Sequence, residues 1–216
     1  MLNSLENITN TDQSLYPSMF AKNITKEEIN ELDLRKYEGK VSVITEHEQL
    51  AYALQHIREY EVFGFDTETK PAFRKGVKHM VALLQIAIPE KVYLIRLNHT
   101  GFTRGLSDLF NDEYIEKVGI SIRDDLKHLK QLSEKHRIPF NAENITELNE
   151  VAHELGIEHA GVKKLTAIFL NFRVSKSQQT SNWENPQLTE KQIRYAATDA
   201  WVCLEIYNHL RSKGYI

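Results

Sequence analysis

The chain has 216 residues, with 27 Lys and Arg against 30 Asp and Glu for a formal charge of −3, and is 41% hydrophobic and 26% charged. This is the composition of a globular protein; it excludes disordered, collagenous and disulfide-rich classes, and it lacks the basic excess that advertises a nucleic-acid partner. The lone cysteine, Cys203, rules out an internal disulfide and a cysteine metal cage. No apolar run nears the roughly 20 residues of a membrane helix, and the N-terminus lacks the basic start and apolar centre of a signal peptide, so a cytoplasmic protein without membrane association is expected.

Residues 1–24 are rich in Asn, Ser and Thr and read as a polar lead-in, with residues 25–216 as a single domain. A short helix is expected from Thr25 to Leu32, and a β-type run follows at residues 41–44. Thr45 and Glu48 have capping-box spacing, and the helix they open carries Leu50, Leu54 and Ile57 on one face. Residues 62–65, Val-Phe-Gly-Phe, read as a buried strand. Two more strands, 81–88 and 92–95, flank the turn 89–91 and are expected to pair antiparallel. Residues 117–120 form a short strand leading to Asp124-Asp125-Leu126, where Leu126, Leu129 and Leu132 mark a helix. Leu148, Val151, Ala152 and Leu155 mark another, stopped by Gly156, and Leu165, Ile168 and Phe169 a further one. After a polar loop at 175–187, Thr189 and Gln192 form a second capping box that opens the longest helix, to about Lys213. Strands followed by mixed strand and helix imply one α/β domain with a mixed sheet.

Several carboxylates sit where a purely structural protein would carry apolar residues. Asp66 and Glu68 follow the Val-Phe-Gly-Phe run, and being two apart on an extended chain they share one face. Taken alone, the pair is equally a strand ending in a solvated turn. In the last helix, Asp199 falls in an apolar stripe with Tyr195, Val202 and Ile206, so a buried carboxylate there needs a metal, a cation, or a donor such as Tyr195 or Arg194. Asp124 and Asp125 stand where a strand gives way to a helix, a position where acids also serve simply as N-terminal helix charges. Acids converging from two strand ends and a late helix suit hard divalent cations, Mg²⁺ or Mn²⁺; His-x-x-x-His and paired-Cys patterns, which would favour zinc, are absent.

These residues resemble a family. Phe65-Asp66-Thr67-Glu68-Thr69, then residues 118–126, then Tyr195-Ala-Ala-Thr-Asp199 resemble in order the three motifs of the DEDDy 3′-to-5′ exonucleases, on the branch of ribonuclease D and the Werner-type exonuclease domain. Residues 181–190 and Leu83-Leu-Gln85-Ile resemble supporting segments of that branch, and the likeness spans about residues 40–212. It implies a ribonuclease-H-like α/β fold, a mixed sheet of about five strands flanked by helices. It also implies two divalent metal ions, Mg²⁺ or Mn²⁺, held by Asp66, Glu68, Asp125 and Asp199. Asp125 takes the family's place before Leu126, with Asp124 the fallback. Tyr195 matches the tyrosine of the subfamily, and the sister subfamily's histidine position is Arg194 here. The implied activity is hydrolysis of nucleic acid from a free 3′ end, releasing nucleoside 5′-monophosphates, with Tyr195 orienting the attacking water.

Lys70, Arg74, Lys75 and Lys78, interleaved by Phe73, offer a phosphate track with a stacking ring, or else a solvated loop; Lys163, Lys164, Arg173 and Lys176 form a second candidate patch. Thr67 and Gln85 are nucleotide contacts by position alone, and Trp183 and Cys203 read as packing residues. Two other functions compete. A haloacid-dehalogenase-like phosphatase would use Asp66-Thr-Glu-Thr69 as its nucleophile loop, but it leaves Tyr195 and Asp199 unexplained. An inactive nucleic-acid-binding module of the same fold would be expected to have lost an acid, and all four acids and the tyrosine are present. With no helicase or appended helical region in the sequence, a stand-alone nuclease domain is expected.

Overall fold

The structure, a computed structural model, describes residues 20–74 and 76–216. Most of the expected lead-in, residues 1–19, and Lys75 lie outside the described residues. The remainder of that lead-in is already attached to the domain: the Phe20 ring meets Phe169 edge-on at 4.9 Å, and Glu158 N–H donates to the Lys22 carbonyl at 3.2 Å.

Helix α1 (Lys26–Glu31) opens on Thr25, whose hydroxyl accepts from the Glu28 amide, and strand β1 (Lys40–Ile44) follows. Helix α2 (His47–Ile57) starts one residue later than the Thr45/Glu48 spacing suggests. The Gln49 side chain, not Glu48, reaches back to accept from the Thr45 and Glu46 amides at 3.1 and 3.3 Å. Strand β2 (Val62–Thr69) runs on through both acids instead of ending before them, because it is paired along that length with β3 (Val81–Ile88). The register sets Asp66 opposite Gln85 and Glu68 opposite Leu83, and a bulge lies between Glu68 and Thr69. Strand β4 (Lys91–Arg96) completes the expected antiparallel hairpin.

Short helices α3 (Leu97–Thr100) and α4 (Arg104–Phe110) lead to β5 (Glu116–Gly119) and α5 (Arg123–Lys135). A three-residue strand, β6 (Ile145–Glu147), precedes α6 (Leu148–Glu154), α7 (Val162–Leu170) and α8 (Glu190–Ser212). Gly156 takes φ +76° just past α6, a left-handed stop that a side chain would strain. The expected box at Thr189 and Gln192 caps α8, which ends at Ser212 with Lys213 as its C-cap.

The sheet order is β1-β4-β3-β2-β5-β6, with β2, β5 and β6 parallel to one another and β3 antiparallel to both its neighbours. This is the mixed α/β sheet expected, with the three-residue β6 added at its edge. One face packs Phe63, Phe65, Leu84 and Ile86 against α2, α4 and α5; the other packs Leu83, Ala87 and Leu94 against Trp183 and α8. All eight residues of β3 are buried, as a strand covered on both faces requires. Gly64 lets α8 come close: a Cβ there would lie 2.4 Å from the Ala200 carbonyl oxygen and 2.8 Å from the Leu204 nitrogen. That close approach carries Asp199 to the end of β2.

Candidate active site

One carboxylate oxygen from each of Asp66, Glu68 and Asp199 lies within 4.8 Å of the other two. Two come from the α8-facing side of β2 and the third from α8 itself, so strand alternation and the Gly64 contact together build the trio. Asp125, in the first turn of α5, reaches the same strand end from the opposite face. It is half-buried and accepts a hydrogen bond from the Thr67 hydroxyl, whereas Asp124 is exposed. Asp125 stands outside the trio, yet its charge bears on both Asp66 and Glu68.

Crowding and burial keep these acids from ionising freely. Burial first, then the charges of Asp125, Asp199 and Glu68, hold the Asp66 carboxyl well above the usual range. Burial and the charges of Asp199 and Asp125 push Glu68 up to about 9; the Trp183 indole N–H faces it without closing a full hydrogen bond and eases the shift. Asp199 is pushed to about 7 by burial, against the pull of the Tyr195 hydroxyl and the charge of Lys176. The Tyr195 hydroxyl is itself raised well above its ordinary value by burial and by the charges of Asp199 and Glu68. Those neighbours favour its protonated form in the metal-free chain.

Asp199 Oδ1 is buried with no hydrogen-bond partner. An orphaned carboxylate oxygen beside two further carboxylates is the donor set of a hard divalent cation, since oxygen ligands suit Mg²⁺ and Mn²⁺ and the trio includes no His or Cys.

The remaining candidates separate. Thr67 is half-buried, and its hydroxyl is engaged with Asp125 rather than offered to a nucleotide. Gln85 corrects the expectation made from its position: it is 0% exposed beneath α8 and Trp183, so its amide does not reach a nucleotide. Phe73 is 86% exposed on the loop after β2, free to stack on a base. In that loop Lys70 is drawn to Glu184 at 3.0 Å, and Glu184 also accepts from His79 at 3.1 Å, so this arm is braced to the segment before α8. The second basic patch is partly engaged as well: Arg173 Nε donates to the Leu32 carbonyl and Lys164 to Asn23. The Thr67–Asp125 contact escaped the sequence reading; its one signal is a hydroxyl residue between two acids on a strand, facing the other layer.

Residues 41–214 match the family described as 3′-5′ exonuclease. The chain belongs to the 3′-5′ exonuclease family. Among the chain's relatives, the mouse bifunctional 3′-5′ exonuclease/ATP-dependent helicase WRN is 35% identical over 161 residues, 71% of this chain and 11% of WRN. A 3′-5′ exonuclease of Arabidopsis thaliana is 30% identical over 154 residues, 68% of this chain and 52% of its own length. The chain thus spans about half or less of these curated relatives. Among solved structures, the Nibbler EXO domain of Aedes aegypti matches at TM-score 0.73 and 23% identity, covering 84% of this chain and 91% of that one. Escherichia coli RNase D, an exoribonuclease involved in structured RNA processing, matches at TM-score 0.70 and 20% identity, covering 82% and 47%. The ribonuclease-H-like fold and the DEDDy resemblance are borne out. No helix among the described residues is long and apolar enough to cross a membrane.

Proposed function

We propose that this chain is an active 3′-to-5′ exonuclease domain that hydrolyses phosphodiester bonds at the free 3′ end of a nucleic acid and releases nucleoside 5′-monophosphates. The observation that carries the reading is the carboxylate trio of Asp66, Glu68 and Asp199 with its orphaned, buried oxygen. Asp66, Glu68, Asp125 and Asp199 would hold two divalent cations, Mg²⁺ or Mn²⁺. When bound, these supply charge neutralisation at the scissile phosphate and an activated water at neutral pH.

The side chains do the rest. Four clustered acids repel one another and a phosphate, so this centre excludes substrate until its charge is matched. Tyr195 lies one helical turn before Asp199 and keeps its proton, so its hydroxyl donates to and orients the water or a phosphate oxygen. Thr67 holds the Asp125 carboxylate in one orientation. Exposed Phe73 stacks on a base near the strand end, with Lys75 beside it in sequence. A ribonuclease D of Trypanosoma brucei is described in complex with RNA U12, and the WRN relative couples its exonuclease to a helicase, so both RNA and DNA belong in the test.

The test is digestion of 5′-labelled single-stranded DNA and RNA with Mg²⁺ or Mn²⁺, beside an EDTA control and Asp66→Asn. A metal-dependent ladder shortening from the 3′ end, absent in Asp66→Asn, is expected on at least one substrate. Binding without cleavage of either would replace this reading with that of an inactive binding module.

A further inference from the structure

Next to the acidic centre lies a cavity of about 360 Å³, a volume typical of small-ligand sites, whose wall includes Tyr195 and Thr198 of α8. Four cationic side chains surround it: Arg35, Lys36, Lys191 and Arg194. One carboxylate, Glu190, joins them, and Arg194 already engages it at 2.7 Å. Lys36 reaches Glu38 at 3.6 Å across open solvent, a weak contact, and Lys191 has no acidic partner among the described residues. Ser175, Ser177 and Gln178 add neutral polar groups on the facing loop. In a chain of net charge −3 this is a concentrated positive pocket directly beside a cluster of acids.

The pocket is built rather than incidental. The segment before β1 is fastened across the outside of α8: Tyr37 N–H donates to Thr198 Oγ1 at 2.9 Å, and Arg194 Nη1 donates to the Gly39 carbonyl at 3.0 Å. Arg35 N–H donates to the Arg173 carbonyl at 2.9 Å, and its guanidinium lies 5.2 Å from the centroid of the Phe172 ring. Phe172 in turn stacks on Trp201 of α8, their planes 18° apart. Arg35 and Lys36 precede residue 41, where the family match begins.

We propose that this cleft binds the phosphodiester backbone of the incoming strand on the 5′ side of the scissile bond, the only direction in which a strand with its 3′ end at the acids continues. This rests on the exonuclease reading above and adds to it a second, cationic subsite. Its wall shares Tyr195 with the acidic centre, so one strand spans both.

The test is fluorescence anisotropy with Ca²⁺ in place of Mg²⁺ or Mn²⁺, so that the charge of the acids is matched, using labelled single strands of about three and about twelve nucleotides and comparing the wild type, Lys36→Ala/Lys191→Ala, and a control of equal charge change on exposed lysines elsewhere, Lys26→Ala/Lys213→Ala. The cleft variant is expected to weaken binding of the longer strand roughly tenfold, and the shorter strand less. Its salt dependence should fall by about 1.4 in slope, two single-strand phosphate contacts at about 0.7 each. The control should match the wild type. Unchanged affinity and slope in the cleft variant, with wild-type cleavage intact, overturns the cleft and leaves the exonuclease reading standing; a wild type that neither binds nor cleaves overturns both.

Discussion

At the residue scale, Thr67 shows how a contact across two layers governs a site. It lies between Asp66 and Glu68, but alternation turns it to the other face of β2, where its hydroxyl meets Asp125 from α5. Groups that hydrogen-bond a ligating carboxylate are worth about 10–100-fold in metal affinity or activity. Thr67→Val, which keeps shape and loses the donor, is therefore expected to weaken Mn²⁺ binding in calorimetric titration by about tenfold and to lower kcat/KM comparably, while Thr67→Ser restores both. Equal behaviour of the two variants would show that the hydroxyl is idle. Tyr195→Phe removes a donor rather than a base, so kcat should fall by about 100-fold with no new acidic limb in the pH profile. Disappearance in that variant of an acidic limb present in the wild-type profile would instead assign Tyr195 the proton-abstracting role, since a base must be deprotonated to act. Asp199 was legible because a carboxylate in an apolar stripe of a helix stands out against its wheel. Gln85 was misread because a strand buried on both faces shows no alternation from which to tell a covered polar residue from an offered one.

At the scale of elements, the long periodic segments were readable and the short ones were not. Helix α8 and the β3–β4 hairpin carry enough period and turn chemistry to declare themselves, whereas α3, α4 and β6, four, seven and three residues long, exist through tertiary contact more than through local pattern. The apolar run 62–65 marked strand β2 and alternation set both acids on one face beyond it; Asp and Glu are weak strand formers although Thr67 and Thr69 are not, and the ladder with β3 carries the strand through them. Convergence of the acids was legible from their motif order, but the device that brings α8 within reach of β2 is the glycine inside Val-Phe-Gly-Phe. A methyl group at Gly64 meets the α8 backbone rather than a movable side chain. Gly64→Ala is expected to destabilise the fold by about 1–3 kcal/mol in urea titration and to lower activity further by separating Asp199 from Asp66. Full stability in that variant would mean that the helix has slack to retreat, and the tight approach would lose its place in the account of the site.

At the scale of the whole molecule, the acidic centre is a liability that a bound cation would relieve. A carboxyl whose folded pKa is raised keeps its proton in the native chain while the unfolded chain has released it. Native protein then binds more protons than unfolded protein, and stability falls as pH rises from the unfolded value to the folded one. For Glu68 that window runs from 4.5 to about 9, and for Asp199 from 3.8 to about 7. The first spans neutral pH and the second ends near it, and Asp66 moves in the same direction. In EDTA, Tm is therefore expected to decline steadily from about pH 5 to about pH 9. Glu68→Gln, which removes one charge from the crowd, should raise Tm at the upper end and flatten the decline. Mg²⁺ or Mn²⁺ competes with those same protons, so its stabilisation should be small at pH 5 and grow as the carboxylates are freed. A general polyelectrolyte effect would not reproduce this, because a chain of net charge −3 has little overall repulsion to relieve and Glu68→Gln would then behave like any exposed Glu→Gln change. Calorimetric scans of wild type, Glu68→Gln and an exposed control such as Glu150→Gln, each with EDTA and with excess Mg²⁺, separate the two. A metal-dependent rise in Tm that is equal at all pH values, or a flat Tm in EDTA, would mean that the acids are not forced together in the metal-free protein.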